Sequence, residues 1–502
     1  MRRLHPLLLL LASLPGSLSG CGNDSSVSQT DSNFAASETC ITCHKTSRAT
    51  SSVTLTNIVD DWSASIHNTM KGASCIDCHG SGNGHPSSCG GCHGGSTTAG
   101  LEFHNPAAAG RCYNCHTITS LGYPHFANYT TSLAAQYISQ TDAAGVQCLQ
   151  CHNPHDTTSR IQYNKDWAES GHGDVHFVSG NASASSVNSH YPWTTASSDA
   201  CAKCHTTSGY KKFVSGGVAP LLSNNKKNEA IMCSACHQDY SWKRRNIGAQ
   251  TLQYSYNGVA VILPNVGDSN LCVVCHGGRG NFQSKRSTRF QAHHLPIGAD
   301  LFAEFSHVGF EFTGRSYTRP TYFEHDIIGL ADGSGPCVSC HMKSAKSHTF
   351  SVVTKDANGV ITTINTQAVC NTCHTVGTKY EMTATKLEEE SEGYIQAGVV
   401  LKALLANTIT NYKGVAVVIT TTTQANSASE GDYGSFQNSS YPKEDPGAFA
   451  HNRMYVKRLL FDSIDWMQHG AFTDTITISA ATYPAAASWF RADATTGIAS
   501  RP

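Results

Sequence analysis

The chain has 502 residues, of which 14% are charged, and a formal net charge of −1. That length suggests two or three domains, and a near-neutral chain gives no broad electrostatic case for nucleic acid. It also carries 43 glycines and 21 cysteines, and the arrangement of the cysteines organises everything that follows.

Residues 1–20 read as a secretory signal peptide, with Arg2 and Arg3 as the basic start and Leu7 to Leu11 in the apolar run. The run is too short to span a bilayer as a stable helix. It ends in Leu18-Ser19-Gly20-Cys21, small residues before a cysteine that resemble a bacterial lipobox. Cleavage there is expected to leave Cys21 lipid-modified, and several acyl chains would anchor the protein firmly. Residues 21–38 then form the lipid anchor and a flexible tether rich in Ser, Asn and Asp. No later apolar stretch reaches spanning length, so the expectation is a membrane anchor without a crossing. Gly22 stands where enteric inner-membrane lipoproteins carry Asp. That favours the outer membrane, on its periplasmic or cell-surface face.

Between Cys40 and His374 the phrase Cys-x-x-Cys-His occurs ten times. In order, the motifs are Cys40/Cys43/His44, Cys75/Cys78/His79, Cys89/Cys92/His93, Cys112/Cys115/His116, Cys148/Cys151/His152, Cys201/Cys204/His205, Cys233/Cys236/His237, Cys272/Cys275/His276, Cys337/Cys340/His341 and Cys370/Cys373/His374. On a helical turn the positions i, i+3 and i+4 share a face. Two thiols can therefore reach one edge of a haem while the imidazole comes up under the iron as a proximal ligand. Zinc sites and dithiol redox motifs also use C-x-x-C, but neither requires the following histidine. Twenty of the 21 cysteines are consumed by the motifs, and no pair remains for a structural disulfide. Ten covalently attached c-type haems are expected.

These motifs divide the chain into an N-terminal haem cluster at 39–175 (haems 1–5), a second cluster at 176–374 (haems 6–10) and a haem-free C-terminal cap at 375–502. About 33 residues per motif are too few to build an apolar core around each cofactor. The expected fold class is a haem-nucleated multihaem cytochrome c, mainly short α-helices and irregular loops with little β. A small haem-free α/β segment follows at the C-terminus. Cys75 and Cys89 open motifs so close in sequence that their haems should nearly touch. Trp62-Ser63-Ala64-Ser65-Ile66-His67 matches Trp167-Ala168-Glu169-Ser170-Gly171-His172 at Trp, Ser and His. His67 and His104 each precede a motif cysteine, Cys75 and Cys112, by the same offset. Gly277-Gly278-Arg279-Gly280 reads as a turn, with Arg279 available to a haem propionate. After His374, Lys386 to Asn407 has helical periodicity, with Leu387, Ile395, Val399, Leu401 and Leu404 as its apolar stripe. Val415 to Thr423 reads as a strand. A second helix should use Asp445 as N-cap and Pro446 in its first turn, bury Val456, Leu459, Leu460, Ile464 and Met467, and end at Gly470.

Sixteen histidines lie outside the motifs, enough to give every iron a second imidazole; Met would raise the potential instead. The distal candidates are His67, His85, His104, His125, His155, His172, His190, His325, His348 and His451. His294 and His307 are reserves, and His176, His293 and His469 are weaker. His155 is too close to His152 to reach the opposite face of the same haem, so it should ligate a neighbour.

Several short patches carry a family resemblance. They are His125-Phe126 with Tyr129-Thr130-Thr131-Ser132, Cys151-His152-Asn153-Pro154-His155-Asp156, Glu169-Ser170-Gly171-His172-Gly173, Cys204-His205-Thr206-Thr207-Ser208-Gly209-Tyr210, and Cys340-His341-Met342 with His348-Thr349-Phe350. Through them the chain resembles the outer-surface multihaem lipoprotein cytochromes of metal-reducing bacteria. The segment Pro446-Gly447-Ala448-Phe449-Ala450-His451-Asn452 is similar to the part of multihaem nitrite reductases that returns a distal histidine. The resemblance implies electron transfer in the outer envelope toward metal oxides or other extracellular acceptors, other multihaem cytochromes or a porin-cytochrome conduit. A small-oxoanion reductase is the alternative. Catalysis at iron needs an open coordination position, and those nitrite reductases carry lysine in one attachment motif, whereas all ten motifs here end in His. A subunit of an extracellular cytochrome filament is the third reading, opposed by the lipid anchor.

Overall fold

A computed structural model describes residues 31–45, 58–70, 73–76, 151–153, 156, 160–173, 199–216, 231–238, 240, 242–282, 297–320, 322–407, 409–410 and 416–502. The chain divides into two compact units, 1–159 and 160–502. The division falls ahead of the 175/176 line drawn from motif spacing. The reason is Trp167, on the helix Ile161–Glu169, whose indole donates to the Ile231 carbonyl at 2.9 Å and ties that helix to the later motifs.

In the first unit the helix Asp31–His44 carries the first motif on its last turns, and Ile58–Ala64 and Ile66–Thr69 follow. In the second unit short helices again coincide with motifs: Asp199–His205, Cys233–Cys236, Asn270–His276, Gly335–His341 and Gln367–Cys370. Sheet among the described residues is confined to four two-stranded antiparallel pairs, Thr251–Tyr256 with Val259–Ile262, Val353–Lys355 with Ile361–Ile364, Ile409–Thr410 with Ala416–Val417, and Thr475–Thr477 with Ile498–Ser500. Helices and loops with little sheet are what the motif density led one to expect.

The second unit nevertheless has a conventional apolar core. The helices Ala384–Ala406, Glu430–Asn438, Arg453–His469 and Pro484–Phe490 contribute Tyr394, Leu401, Leu405, Tyr433, Leu459, Leu460, Phe461, Ile464 and Trp489. Each large apolar side chain buried there stabilises by roughly 1.5–3 kcal/mol. The segment between the eighth and ninth motifs inserts Val308, Phe310, Phe312 and Tyr317 into the same core. Asn438 fixes that insertion: its side-chain oxygen accepts from the Phe310 amide at 2.9 Å and its amide donates to the Phe310 carbonyl at 3.0 Å. Buried Asp462 accepts from Arg315 at 3.0 Å and from Arg501 at 2.7 and 2.9 Å. The C-terminal residues are therefore packed into the motif-bearing unit.

Three sequence expectations are corrected here. In the helix Ala384–Ala406, Leu401 is buried and Leu387 and Leu404 pack against the core, but Ile395 and Val399 are exposed, and Ser391, Tyr394, Ala397, Gly398, Val400 and Leu405 complete the buried face. Small residues win that face because neighbours approach closely: a Cβ on Gly393 would lie 2.5 Å from the Trp489 Cβ, and one on Gly398 2.6 Å from Pro442. Of 415–423, only Ala416–Val417 is strand, and Thr422–Ser427 is a helix because Thr421 and Gln424 form a reciprocal capping box. Asn452, not Asp445, caps the helix Arg453–His469, accepting from the Tyr455 amide at 3.3 Å. The Asp445 carboxylate is engaged elsewhere. Val456, Leu459, Leu460, Ile464 and Met467 are buried, and Gly470 closes the helix at φ +68°.

Candidate haem-ligand centre

The motifs of the second unit are pinned to one another by side-chain hydroxyls that bond the backbone of a neighbouring motif. The Met232 amide, just before Cys233, donates to the Thr207 hydroxyl at 2.9 Å, linking the sixth motif to the seventh. Tyr210 donates to the Leu271 carbonyl at 3.0 Å, linking the sixth to the eighth. The Ser269 hydroxyl donates to the Ser334 carbonyl at 2.8 Å and accepts from the Val338 amide at 3.1 Å, linking the eighth to the ninth. Gly335 opens the ninth-motif helix at φ +70°, where a Cβ would run into the Val266 carbonyl. Thiols of different motifs come close enough to influence one another, Cys204 with Cys275 and Cys272 with Cys337. Burial pushes the Cys236 thiol up to about 11.

The described cysteines whose thiols can be placed are Cys40, Cys75, Cys151, Cys204, Cys233, Cys236, Cys272, Cys275, Cys337, Cys340, Cys370 and Cys373, all as unbridged thiols. Cys43 and Cys201 lie on motif helices. Cys21, Cys78, Cys89, Cys92, Cys112, Cys115 and Cys148 lie outside the described residues, as do His79, His93 and His116.

Four motif histidines each face a second imidazole. The ring centres of His276 and His172 are 6.3 Å apart, and so are those of His237 and His348 and those of His374 and His325; those of His341 and His451 are 6.4 Å apart. A metal held by two opposed imidazoles, at about 2 Å per metal–nitrogen bond and roughly 1.1 Å from nitrogen to ring centre, separates the centres by about 6.3 Å. The donor set thus fits a six-coordinate iron at each pair. All four partners, His172, His325, His348 and His451, were among the distal candidates.

Hydrogen bonds fix which ring nitrogen faces the gap. Nδ1 of His237 bonds the Trp242 carbonyl at 2.6 Å, Nδ1 of His341 the Phe350 carbonyl at 2.9 Å, and Nδ1 of His374 the Tyr380 carbonyl at 2.8 Å. Across the gaps, Nδ1 of His325 bonds the Ala450 carbonyl at 2.8 Å, and Nδ1 of His451 bonds Asp445 Oδ2 at 2.8 Å. Engaging Nδ1 selects the tautomer that leaves Nε2 as donor atom, the support pattern of metal-ligating histidines. Burial lowers the imidazole pKa of His237, His341 and His325, and brings those of His172 and His348 to about 4. All five are therefore neutral, as ligands must be. His451 differs. Burial opposes its charge, but the Asp445 carboxylate and then Asp300 raise it to about 9. Asp300, Asp445 and His451 form a tight cluster in which burial and then Asp445 hold the Asp300 carboxyl well above the usual range.

The Trp-x-x-Ser-x-His repeat has the same local structure in both copies. The Ser65 hydroxyl donates to the Trp62 carbonyl at 2.7 Å, and that of Ser170 to the Trp167 carbonyl at 2.6 Å. The Trp62 indole donates to the Ala73 carbonyl at 3.0 Å, as Trp167 does to Ile231. Ala73 and Ile231 each stand two residues ahead of a motif cysteine, Cys75 and Cys233. The indole therefore sets where a motif enters, and the same turn presents His67 or His172.

Other candidates are placed differently. His307 stacks on Tyr256 at 3.6 Å with Nδ1 bonded to Glu311 at 3.1 Å, and Nδ1 of His469 bonds Asp465 at 2.8 Å. His44, His152 and His205 are described and belong to motifs one, five and six; His205 is buried. His85, His104, His125, His155, His176, His190, His293 and His294 lie outside the described residues. Two supporting residues were not read as such from the sequence: Asp445 looked like a helix cap, and Phe350 stood only in a family-like patch. They lie six and nine residues from the rings they support, His451 and His341.

No helix among the described residues is long and apolar enough to cross a membrane. No family model and no solved structure matches the chain. Curated relatives do. The chain is 29% identical over 453 residues to the C-type polyheme cytochrome OmcB in two strains of Geobacter sulfurreducens, covering 70% of this chain and 60% of that protein. It is 33% identical over 353 residues to the C-type polyheme cytochrome OmcC of Geobacter sulfurreducens, covering 57% of this chain and 45% of that protein. The chain thus spans roughly half the length of these relatives. With its ten Cys-x-x-Cys-His motifs and four opposed imidazole pairs, the chain is a relative of the polyheme c-type cytochromes, for which covalently bound haem c is the implied cofactor.

Proposed function

We propose that this chain is a decahaem c-type cytochrome that carries electrons along closely spaced bis-histidine haems, anchored to the outer membrane through Cys21. The observation that carries this reading is the four imidazole pairs at 6.3–6.4 Å, each joining one motif histidine to one histidine from elsewhere. Each motif would hold a haem through its two cysteines. His44, His79, His93, His116, His152, His205, His237, His276, His341 and His374 would be the proximal ligands. His172, His348, His451 and His325 would be distal ligands for the eighth, seventh, ninth and tenth haems. When bound, the irons supply one-electron redox chemistry. The protein's residues keep His172, His237, His325, His341 and His348 neutral, while Asp445 supports His451, and the paired imidazoles would hold each iron from both sides. Filled positions favour electron carriage over reduction of a small oxoanion. Partners of matching chemistry are other multihaem cytochromes, a porin-cytochrome conduit or extracellular metal oxides.

Two measurements on mature protein from cells competent in haem attachment test the proposal. Intact mass should exceed the polypeptide by ten haems, with a diacylglycerol-type modification on Cys21. The ferric spectrum should be wholly low-spin. A mass lacking the haems would end the reading, and a high-spin haem that binds added nitrite would transfer the case to a reductase.

A further inference from the structure

Phe350 touches the ligands of three motifs at once. Its carbonyl accepts from His341 Nδ1 at 2.9 Å, in the ninth motif. Its ring meets His172, which faces the eighth-motif His276, edge-on with centres 4.7 Å apart. The same ring meets His348, which faces the seventh-motif His237, at 6.1 Å and 62°. Its backbone is left-handed, with φ +58° and ψ +14°, directly after the turn Ser347–Thr349. A bulky residue in that region is uncommon and persists where its surroundings determine it. The left-handed turn swings the carbonyl toward His341 while the ring stays wedged between the two distal imidazoles. The Cys272 thiol of the eighth motif also interacts with Cys337 of the ninth.

We propose that Phe350 is the positioning residue of a three-haem junction: its ring sets the orientation of His172 and His348 while its carbonyl sets that of His341. The seventh, eighth and ninth haems would then meet at one turn, and an electron arriving at one of them would have two neighbours within reach. The inference rests on the ligand assignment above and adds to it a single residue through which three sites share one geometry.

The test uses the full-length, haem-loaded protein and low-temperature electron paramagnetic resonance, which reads the orientation of axial imidazoles. His172→Met, His348→Met and His451→Met first assign one low-spin signal each; if none of the three alters a signal, the ligand reading fails rather than the junction. Phe350→Gly keeps the left-handed turn and removes the ring. It should shift the His172 and His348 signals and leave the His341–His451 signal in place. Phe350→Val, whose branched side chain resists positive φ, should shift the His341–His451 signal as well. Phe350→Tyr should restore all three. Unchanged His172 and His348 signals in Phe350→Gly overturn the proposal. So does an unchanged His341–His451 signal in Phe350→Val. If Phe350→Val does not load haem, the Gly and Tyr variants alone decide.

Discussion

The support behind His451 gives a quantitative prediction for the ninth haem. Asp445 is 1% exposed, accepts from His451 Nδ1 at 2.8 Å through one oxygen and from the Gly447 amide at 2.9 Å through the other. A carboxylate behind an imidazole makes it a more basic ligand, which favours the ferric over the ferrous iron. Asp445→Asn keeps the shape and can still accept from His451 or Gly447, but removes the charge. Losing support of this kind changes metal affinity by roughly ten- to a hundredfold. If that falls on the ferric form, the potential rises by about 60–120 mV. The local cost of a lost charge-assisted hydrogen bond, about 1.5–3 kcal/mol, is offset in part. The substitution relieves the unfavourable proximity of Asp445 to buried Asp300. The Tyr394 hydroxyl bond to the Asp445 carbonyl at 2.9 Å is untouched. Spectroelectrochemical titration of wild type and variant should show one component moved upward and the others in place. Superimposable titrations would refute the argument that the carboxylate tunes this site.

The angle between axial ring planes sets the low-spin spectrum, so the near-parallel His237–His348 pair at 26° should give a rhombic signal. The His172–His276 pair at 67° should give a strongly anisotropic one. His348→Met should remove the first and spare the second. Trp167→Phe removes the indole bond to Ile231, so a loss of about 1 kcal/mol is expected by denaturant titration. A shifted His172–His276 signal should accompany it, and a spectrum identical to wild type would deny the repeat a positioning role. Lys457 is 2% exposed, lies 5.2 Å from the Trp489 ring, and is lowered by burial and then by Arg453 to about 7. Its folded pKa is below its unfolded value near 10.5. The folded state therefore binds fewer protons, and this residue's contribution to stability rises with pH from about 7 to about 10.5. Lys457→Met should raise the melting temperature at pH 7 and abolish that residue's part of the alkaline gain; an unchanged pH slope would count against it.

The motif pattern and its short helices were legible from the sequence. The Cys-x-x-Cys-His spacing obeys helix geometry, which acts over five residues and needs no tertiary contact, so the short motif helices follow from it. The arithmetic of histidines made a second imidazole available to every iron, and the Trp-x-x-Ser-x-His repeat marked its histidines as fixed relative to a motif. Apolar periodicity found the helix Arg453–His469 and its buried side, because side chains at that spacing share one face whatever they pack against. The same reasoning misplaced Ile395 and Val399 on Ala384–Ala406. There the closest neighbours demand Gly393 and Gly398, and periodicity cannot know what a face will meet.

Pairing was a different matter. That His451 faces His341, and His325 faces His374, brings together residues 110 and 49 positions apart in the chain. His325 reaches the C-terminal segment, where its Nδ1 bonds the Ala450 carbonyl, while Asp445 supports His451 from six residues away. Asp445 looks like a helix cap in sequence and is a ligand support in space, because Asn452 holds the cap. Phe350 stands in one of the family-like patches, but nothing in sequence shows that it meets His172, His341 and His348 in space. Local spacing determines how a motif grips its own haem; which imidazole arrives from the other side is decided by chain closure over tens to hundreds of residues, and only the packed core specifies that.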